Sequence, residues 1–180
     1  MSDYNIYRAG MRSGDLLEFA SSSVIGGLIR LKTGKDVNHS SLLLRLNEIR
    51  GLKDRVFTLE SLEHGIDIHL LSNRLENFIG SVYWYPLRQE YDKYREDIIC
   101  WSLQQIDKKY DYKSLISSIF SRVSVESDLF FCSEFVQDAY TEVGMIEKEK
   151  ACWPGEFGKF NLHYGRLKIH ERHFINKKRN

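Results

Sequence analysis

Four β-favouring runs follow one another between Ser41 and Leu87, ahead of the long helical patterns of the chain. They are Ser41 to Leu46, Arg55 to Leu59, Gly65 to Leu70 and Ser81 to Leu87. The leucine-rich first run is opened by Asn38-His39-Ser40. In the second, Phe57 and Leu59 share one face while Val56, Thr58 and Glu60 share the other. In the third, Ile66, Ile68 and Leu70 alternate with Asp67 and His69. Pro86 puts the fourth at an edge or an end. A shorter apolar run, Leu16 to Phe19, precedes them behind the turn Ser13-Gly14-Asp15. Strands gathered first and helices gathered later exclude an alternating parallel sheet. They predict an α+β domain in which an antiparallel meander packs against helices.

The helical patterns begin with a short segment, Val24 to Leu31, capped by Ser21-Ser22-Ser23 and closed by Thr33-Gly34. Tyr91, Tyr94, Ile98, Trp101 and Ile106 then trace a stripe on a helix from about Glu90 to Lys108. Tyr110-Asp111-Tyr112 breaks it, and Ser114 to Ser121 forms a short piece. Phe131, Phe135, Val136, Ala139, Tyr140 and Val143 recur at helical spacing, and Gly144 follows as a stop. Cys132 stands at the start of this last helix. A loop, Cys152-Trp153-Pro154-Gly155-Glu156-Phe157, and a strand from Arg166 to His170 complete the chain.

Nothing divides the 180 residues, so residues 1–180 are read as one domain. Only two prolines occur, and there is no low-complexity linker or internal repeat. With 26 basic against 25 acidic residues, no global charge draws the chain to nucleic acid or to an anionic membrane. The basic tail Lys177-Lys178-Arg179 is a solvated end. Three cysteines, an odd number, make no disulfide framework. The first residues lack a basic region and an apolar run, and no stretch is long enough to cross a bilayer. The expected compartment is the reducing cytoplasm.

A thiol in the first turn of a helix faces unpaired N–H groups and the positive end of the dipole, and it ionises more readily there. As a nucleophile it needs a base, and the base needs an orienting group. Six histidines are available. His39 opens a buried strand and can present its ring to a cleft. His64 lies in a turn before Gly65, and His69 on the polar side of its strand, both with solvent exposure as the plain alternative. His163, His170 and His173 follow the cysteine, in the usual papain order. Glu60 is the best-placed orienting acid, because in a hairpin the end of the second strand lies beside the start of the first. Glu63 is the weaker alternative.

Gly14-Asp15-Leu16-Leu17, Asn38-His39-Ser40-Ser41-Leu42-Leu43, Leu59-Glu60-Ser61, Gly65-Ile66, Tyr110-Asp111-Tyr112 and Phe131-Cys132-Ser133-Glu134-Phe135-Val136 occur in that order. The set resembles the circularly permuted NlpC/P60 group of papain-like cysteine hydrolases, in its YiiX/YebB-like branch. Relatives include poxvirus proteins and, more distantly, lecithin:retinol acyltransferase-like enzymes. The resemblance spans about residues 14–157. It implies a permuted papain-like fold with Cys132 as nucleophile, His39 as base and Glu60 as the third member. Tyr112 and Ser133 are the candidate substrate contacts. One departure is visible: Asp107-Lys108-Lys109 stands where the group commonly has a glycine before Tyr-Asp.

The implied chemistry is acyl transfer by the thiol, with the Cys132 N–H as oxyanion donor. No cofactor or metal is expected: no Cys-x-x-Cys pair occurs, and His170-Glu171-Arg172-His173 alone makes no zinc site. Gly26-Gly27 is no phosphate loop, since no Gly-Lys-Ser/Thr follows. Cys100 reads as a buried structural thiol, and Cys152 has no base beside it. The partner is a small molecule, a peptide or a lipid-like acyl substrate. An amidase or peptidase is the first expectation. A lipid-directed acyltransferase or thioesterase, and a catalytically silent binding module, are the alternatives.

Overall fold

The computed structural model describes residues 3–47, 49–62, 65–106, 127–147 and 152–173. The Ser114–Ser121 piece, Tyr110-Asp111-Tyr112, Glu63, His64 and the basic tail lie outside the described residues. Within them the chain begins with α1 (Tyr4–Tyr7), β1 (Leu16–Ser21), α2 (Val24–Thr33) and β2 (His39–Leu44). It continues through β3 (Phe57–Leu62), β4 (Gly65–Leu70), α3 (Leu71–Asn77) and β5 (Gly80–Tyr85). The last elements are α4 (Arg95–Leu103), α5 (Ser127–Glu142) and β6 (Leu167–Arg172). A six-stranded antiparallel sheet in the order β4-β3-β2-β1-β5-β6 forms the centre, so the α+β expectation holds. Among the described residues, no helix is long and apolar enough to cross a membrane.

The meander is true only in part. β2, β3 and β4 are consecutive neighbours, but β5 does not continue past β4. It pairs with β1, with Leu17 opposite Trp84 and Phe19 opposite Val82. α3 makes this change of side, carrying the chain from one edge of the sheet to the far side of β1. The apolar run at Leu16 to Phe19 is therefore an inner strand, flanked by β2 and β5, and it is fully buried for that reason.

Strand alternation creates two cores. Leu16, Leu42, Leu44 and Leu59 face α4 and α5, where they meet Ile98, Phe135, Val136, Ala139 and Tyr140. Leu17, Phe19, Leu43, Val82 and Trp84 face the other way, against Tyr4, Leu71, Leu75 and Phe78. Each large apolar side chain removed from water contributes about 1.5–3 kcal/mol, so both layers are driven onto the sheet.

The turn at Ser13-Gly14-Asp15 ties these layers together. Asp15 is 1 % exposed, and its carboxylate accepts from the Arg12 and Leu87 N–H groups, the Trp84 indole and the Arg95 guanidinium at 2.7–3.0 Å. Arg95 also donates to the Ser13 and Leu87 carbonyls. The Tyr140 hydroxyl donates to the Gly14 carbonyl at 3.0 Å, fixing α5 to the same turn. The stripe predicted for one helix from Glu90 is split: residues 89–94 form a 3₁₀ turn that feeds α4. Cys100 is exposed on α4, contrary to the expected burial, because Ile98, Ile99 and Ser102 take its buried face.

Candidate active site

β2 and β3 bring the base and the acid together. Leu42 stands opposite Leu59 and Leu43 opposite Thr58. Continuing that register sets Glu60 opposite Ser41, one alternation from His39, so His39 and Glu60 share a face. Glu60 lies inside β3 rather than at its end, because the strand runs on to Leu62. His39 Nε2 is 2.9 Å from Glu60 Oε2.

The approach to His39 is held from both sides. Asn38 accepts from the Ser21 N–H at 2.7 Å, and its own N–H donates to the Phe19 carbonyl at 2.8 Å. Arg30 of α2 donates to the Ser21 carbonyl. On the other side, Gly155 adopts φ +86° and lies so close to Lys35 and Val37 that a Cβ there would sit 3.2 Å from each. Its N–H donates to Glu18 Oε1 at 2.6 Å. Glu18 is buried in β1, and desolvation pushes its carboxyl up.

Glu60 is 0 % exposed and has a partner for each oxygen. The Thr58 hydroxyl donates to Oε1 at 2.6 Å. Arg74, from α3, donates through Nε to Oε1 and through Nη2 to Oε2, both at 3.2 Å. His69 Nδ1 lies 3.9 Å from Oε1. Burial would raise the Glu60 carboxyl, but the bond from His39, the charges of His39 and Arg74 and the bond from Thr58 hold it well below the usual range. Sequence analysis missed Thr58 and Arg74. The alternation of β3 puts Thr58 beside Glu60, but no spacing marks Arg74, which reaches back from the helix after β4.

Cys132 is buried on α5 and forms a side-chain hydrogen bond with His39. Because Nε2 is taken by Glu60, Nδ1 is left for the thiol. Burial would lower the His39 pKa. The charge and hydrogen bond of Cys132, then those of Glu60, outweigh it and raise it to about 10. An imidazole held in this way favours the protonated form.

The position of Cys132 on its helix differs from the sequence expectation. α5 starts at Ser127, so Cys132 lies in the second turn. An N–H there is committed to the carbonyl four residues back, and the dipole acts mainly within the first turn. The activating group for this thiol is therefore His39 rather than the helix end, and the Cys132 N–H is not an available oxyanion donor. The helix stops where the sequence places its end: Gly144 has φ +76°, its N–H donates to Thr141 and that of Met145 to Tyr140.

The remaining sequence candidates separate. Ser133 is wholly buried on α5, and Tyr112 lies outside the described residues. His163 contacts the Tyr140 hydroxyl, His170 the Phe78 carbonyl, and His173 is on the surface by Glu171. Cys152 is buried, and its thiol is pushed up to about 12 by desolvation.

The family model described as "Permuted papain-like amidase enzyme, YaeF/YiiX, C92 family" matches residues 11–161. The chain belongs to this family. The permuted papain-like amidases are cysteine hydrolases, so the fold and the enzyme class expected from the sequence both stand. In this permuted amidase the histidine strand precedes the cysteine helix. Among solved structures it is similar to the metalloprotein yiiX from Escherichia coli O157:H7. The identity is 19 %, the TM-score is 0.53, and the match covers 75 % of this chain and 67 % of that one. At that identity the likeness concerns the fold alone. No curated protein matches the chain.

The described residues around His39 and Glu60 offer no open ligand set for a resident metal. Among the described residues no group of three or more His, Cys, Asp and Glu side chains could hold one. Both oxygens of Glu60 and Nε2 of His39 are already engaged with each other and with Arg74.

Proposed function

We propose that this permuted amidase cleaves an amide-linked substrate with Cys132 as nucleophile, His39 as acid and base, and Glu60 as the orienting carboxylate. The observation that carries the reading is the contact of His39 with both partners at once: Glu60 at 2.9 Å on Nε2, and a side-chain hydrogen bond with Cys132.

The thiol proton passes to His39 Nδ1, giving a thiolate beside an imidazolium that Glu60 stabilises. Cys132 Sγ attacks the substrate carbonyl, and the imidazolium returns its proton to the departing amine. The C–N bond breaks and an acyl-thioester remains. His39, now neutral, takes a proton from water as that water attacks the thioester. The acid is released and the thiol restored. The nucleophile must stay reduced to act, which suits the cytoplasm as the working compartment.

The substrate is a peptide or a small amide in this reading. A lipid-like acyl substrate uses the same three residues and is tested beside it. The experiment is hydrolysis of a panel of peptidyl amides and acyl esters by the wild-type enzyme and by Cys132→Ala. Release of amine by the wild type alone supports the amidase reading. Release only from long-chain acyl esters moves the substrate to the lipid class. Equal rates in both proteins overturn the site.

A further inference from the structure

Arg74 has no place in the nucleophile–base–acid set, yet it is bound to Glu60 at both oxygens. Its fork spans the same carboxylate that His39 uses, with two bonds of 3.2 Å. Its guanidinium carbon also lies 5.5 Å from the centre of the Phe19 ring and 5.8 Å from that of Phe78. The Phe19 ring is in turn 5.5 Å from that of His39. One cation thus fixes the carboxylate at the edge of the imidazole and the aromatic ring packed against it. Arg74 is held in turn by α3, whose Leu71 and Leu75 are anchored in the second core.

The groups that face Glu60 differ in one respect. β2 brings His39, with Cys132 of α5 beyond it. β4 brings His69, whose Nε2 is 3.5 Å from Asp67. Its own strand brings the neutral Thr58 hydroxyl. α3 brings Arg74. An imidazole can take up or release a proton in a reaction, whereas a guanidinium does not. A wholly buried carboxylate paired only with titrating histidines could accept their proton, since burial disfavours its charge. A fixed cation across both oxygens removes that option.

We propose that Arg74 is a positioning residue of the reaction: it keeps Glu60 ionised through the catalytic cycle, so that the proton His39 exchanges with Cys132, the leaving amine and water never passes to Glu60. This rests on the triad reading above. Arg74 touches no reacting atom and acts through Glu60.

The test is the rate of Cys132 alkylation by iodoacetamide from pH 4 to pH 10, read by peptide mass spectrometry, which needs no substrate. Wild type, Arg74→Met, Arg74→Lys and Glu60→Gln are compared, and the His39 ring is titrated by NMR in each. In Arg74→Met the acid side of the labelling profile moves up by about one pH unit, a roughly tenfold loss at the low end. Arg74→Lys, which keeps the charge and loses the fork, restores most of it. A rate that falls equally at every pH, with the wild-type midpoint kept, overturns the proposal and leaves the triad standing. A wild-type thiol with no low-pH reactivity overturns the triad reading and the proposal with it. If Arg74→Met does not fold, by circular dichroism, Arg74→Gln against Arg74→Lys carries the same comparison, with the same expected order.

Discussion

His39 and Glu60 meet diagonally across β2 and β3, with Nε2 and Oε2 2.9 Å apart on the face that also carries Phe19. This geometry leaves the other ring nitrogen for Cys132. Replacing His39 by Ala removes the proton carrier, and replacing Glu60 by Gln removes only its orientation and charge. Steady-state hydrolysis should fall by about 10³-fold or more in His39→Ala and by less in Glu60→Gln. The reverse ranking would show that Glu60 does more than orient.

The three thiols should separate under alkylation at neutral pH. Cys132 is paired with His39 and should label fastest of the three. Cys100 is exposed and serves as the accessible control, while Cys152 is buried and pushed up to about 12. Cys152 labelling ahead of Cys132 in the folded protein would contradict the packing of the 152–157 loop. Peptide mass spectrometry of a time course distinguishes the outcomes.

The His39 ring also predicts how stability follows pH. Its folded pKa, about 10, lies above the ordinary value of 6.5. A raised pKa means that the folded state binds the proton more tightly. The contribution is therefore complete below about pH 6.5 and is lost as pH rises through about 10. Urea melts of wild type against His39→Ala should show the largest difference at the acid end of that window and little above it. Cys132 is the largest of the raising causes, so the His39 NMR midpoint should fall in Cys132→Ala.

Asp15, in the turn before β1, is a structural joint. It accepts from two backbone N–H groups, the Trp84 indole and Arg95, with the ion pair almost wholly buried. Asp15→Ala leaves the Arg95 charge buried without that partner and should cost about 3–5 kcal/mol in a urea melt. A variant that keeps wild-type stability would refute this role.

Much of the site was legible because its parts are local. Asn38-His39-Ser40 marks a strand start, and the alternation of β3 puts Glu60 on a polar face. Whether His39 and Glu60 share a face depends on register, which no single strand carries. The helix pattern around Phe135, Val136, Ala139 and Tyr140 fixed the buried stripe of α5. It did not fix where the helix begins, since residues ahead of the stripe add no periodic signal. Arg74 was invisible for a different reason: its partner is chosen by the turn from β4 into α3, a tertiary event. The same turn sends β5 to the far side of β1, which alternation alone could not foresee.

The order of these elements along the chain has a consequence for synthesis. His39, Glu60 and Arg74 lie on β2, β3 and α3, whereas Cys132 comes on α5, much later. During synthesis the segments nearer the N-terminus emerge from the ribosome first. The imidazole and its carboxylate therefore emerge before Cys132 has been translated. The contact between His39 and Cys132 first forms when α5 docks on the sheet. The permuted order brings Cys132 in only after the strands and the helix that carry its candidate partners.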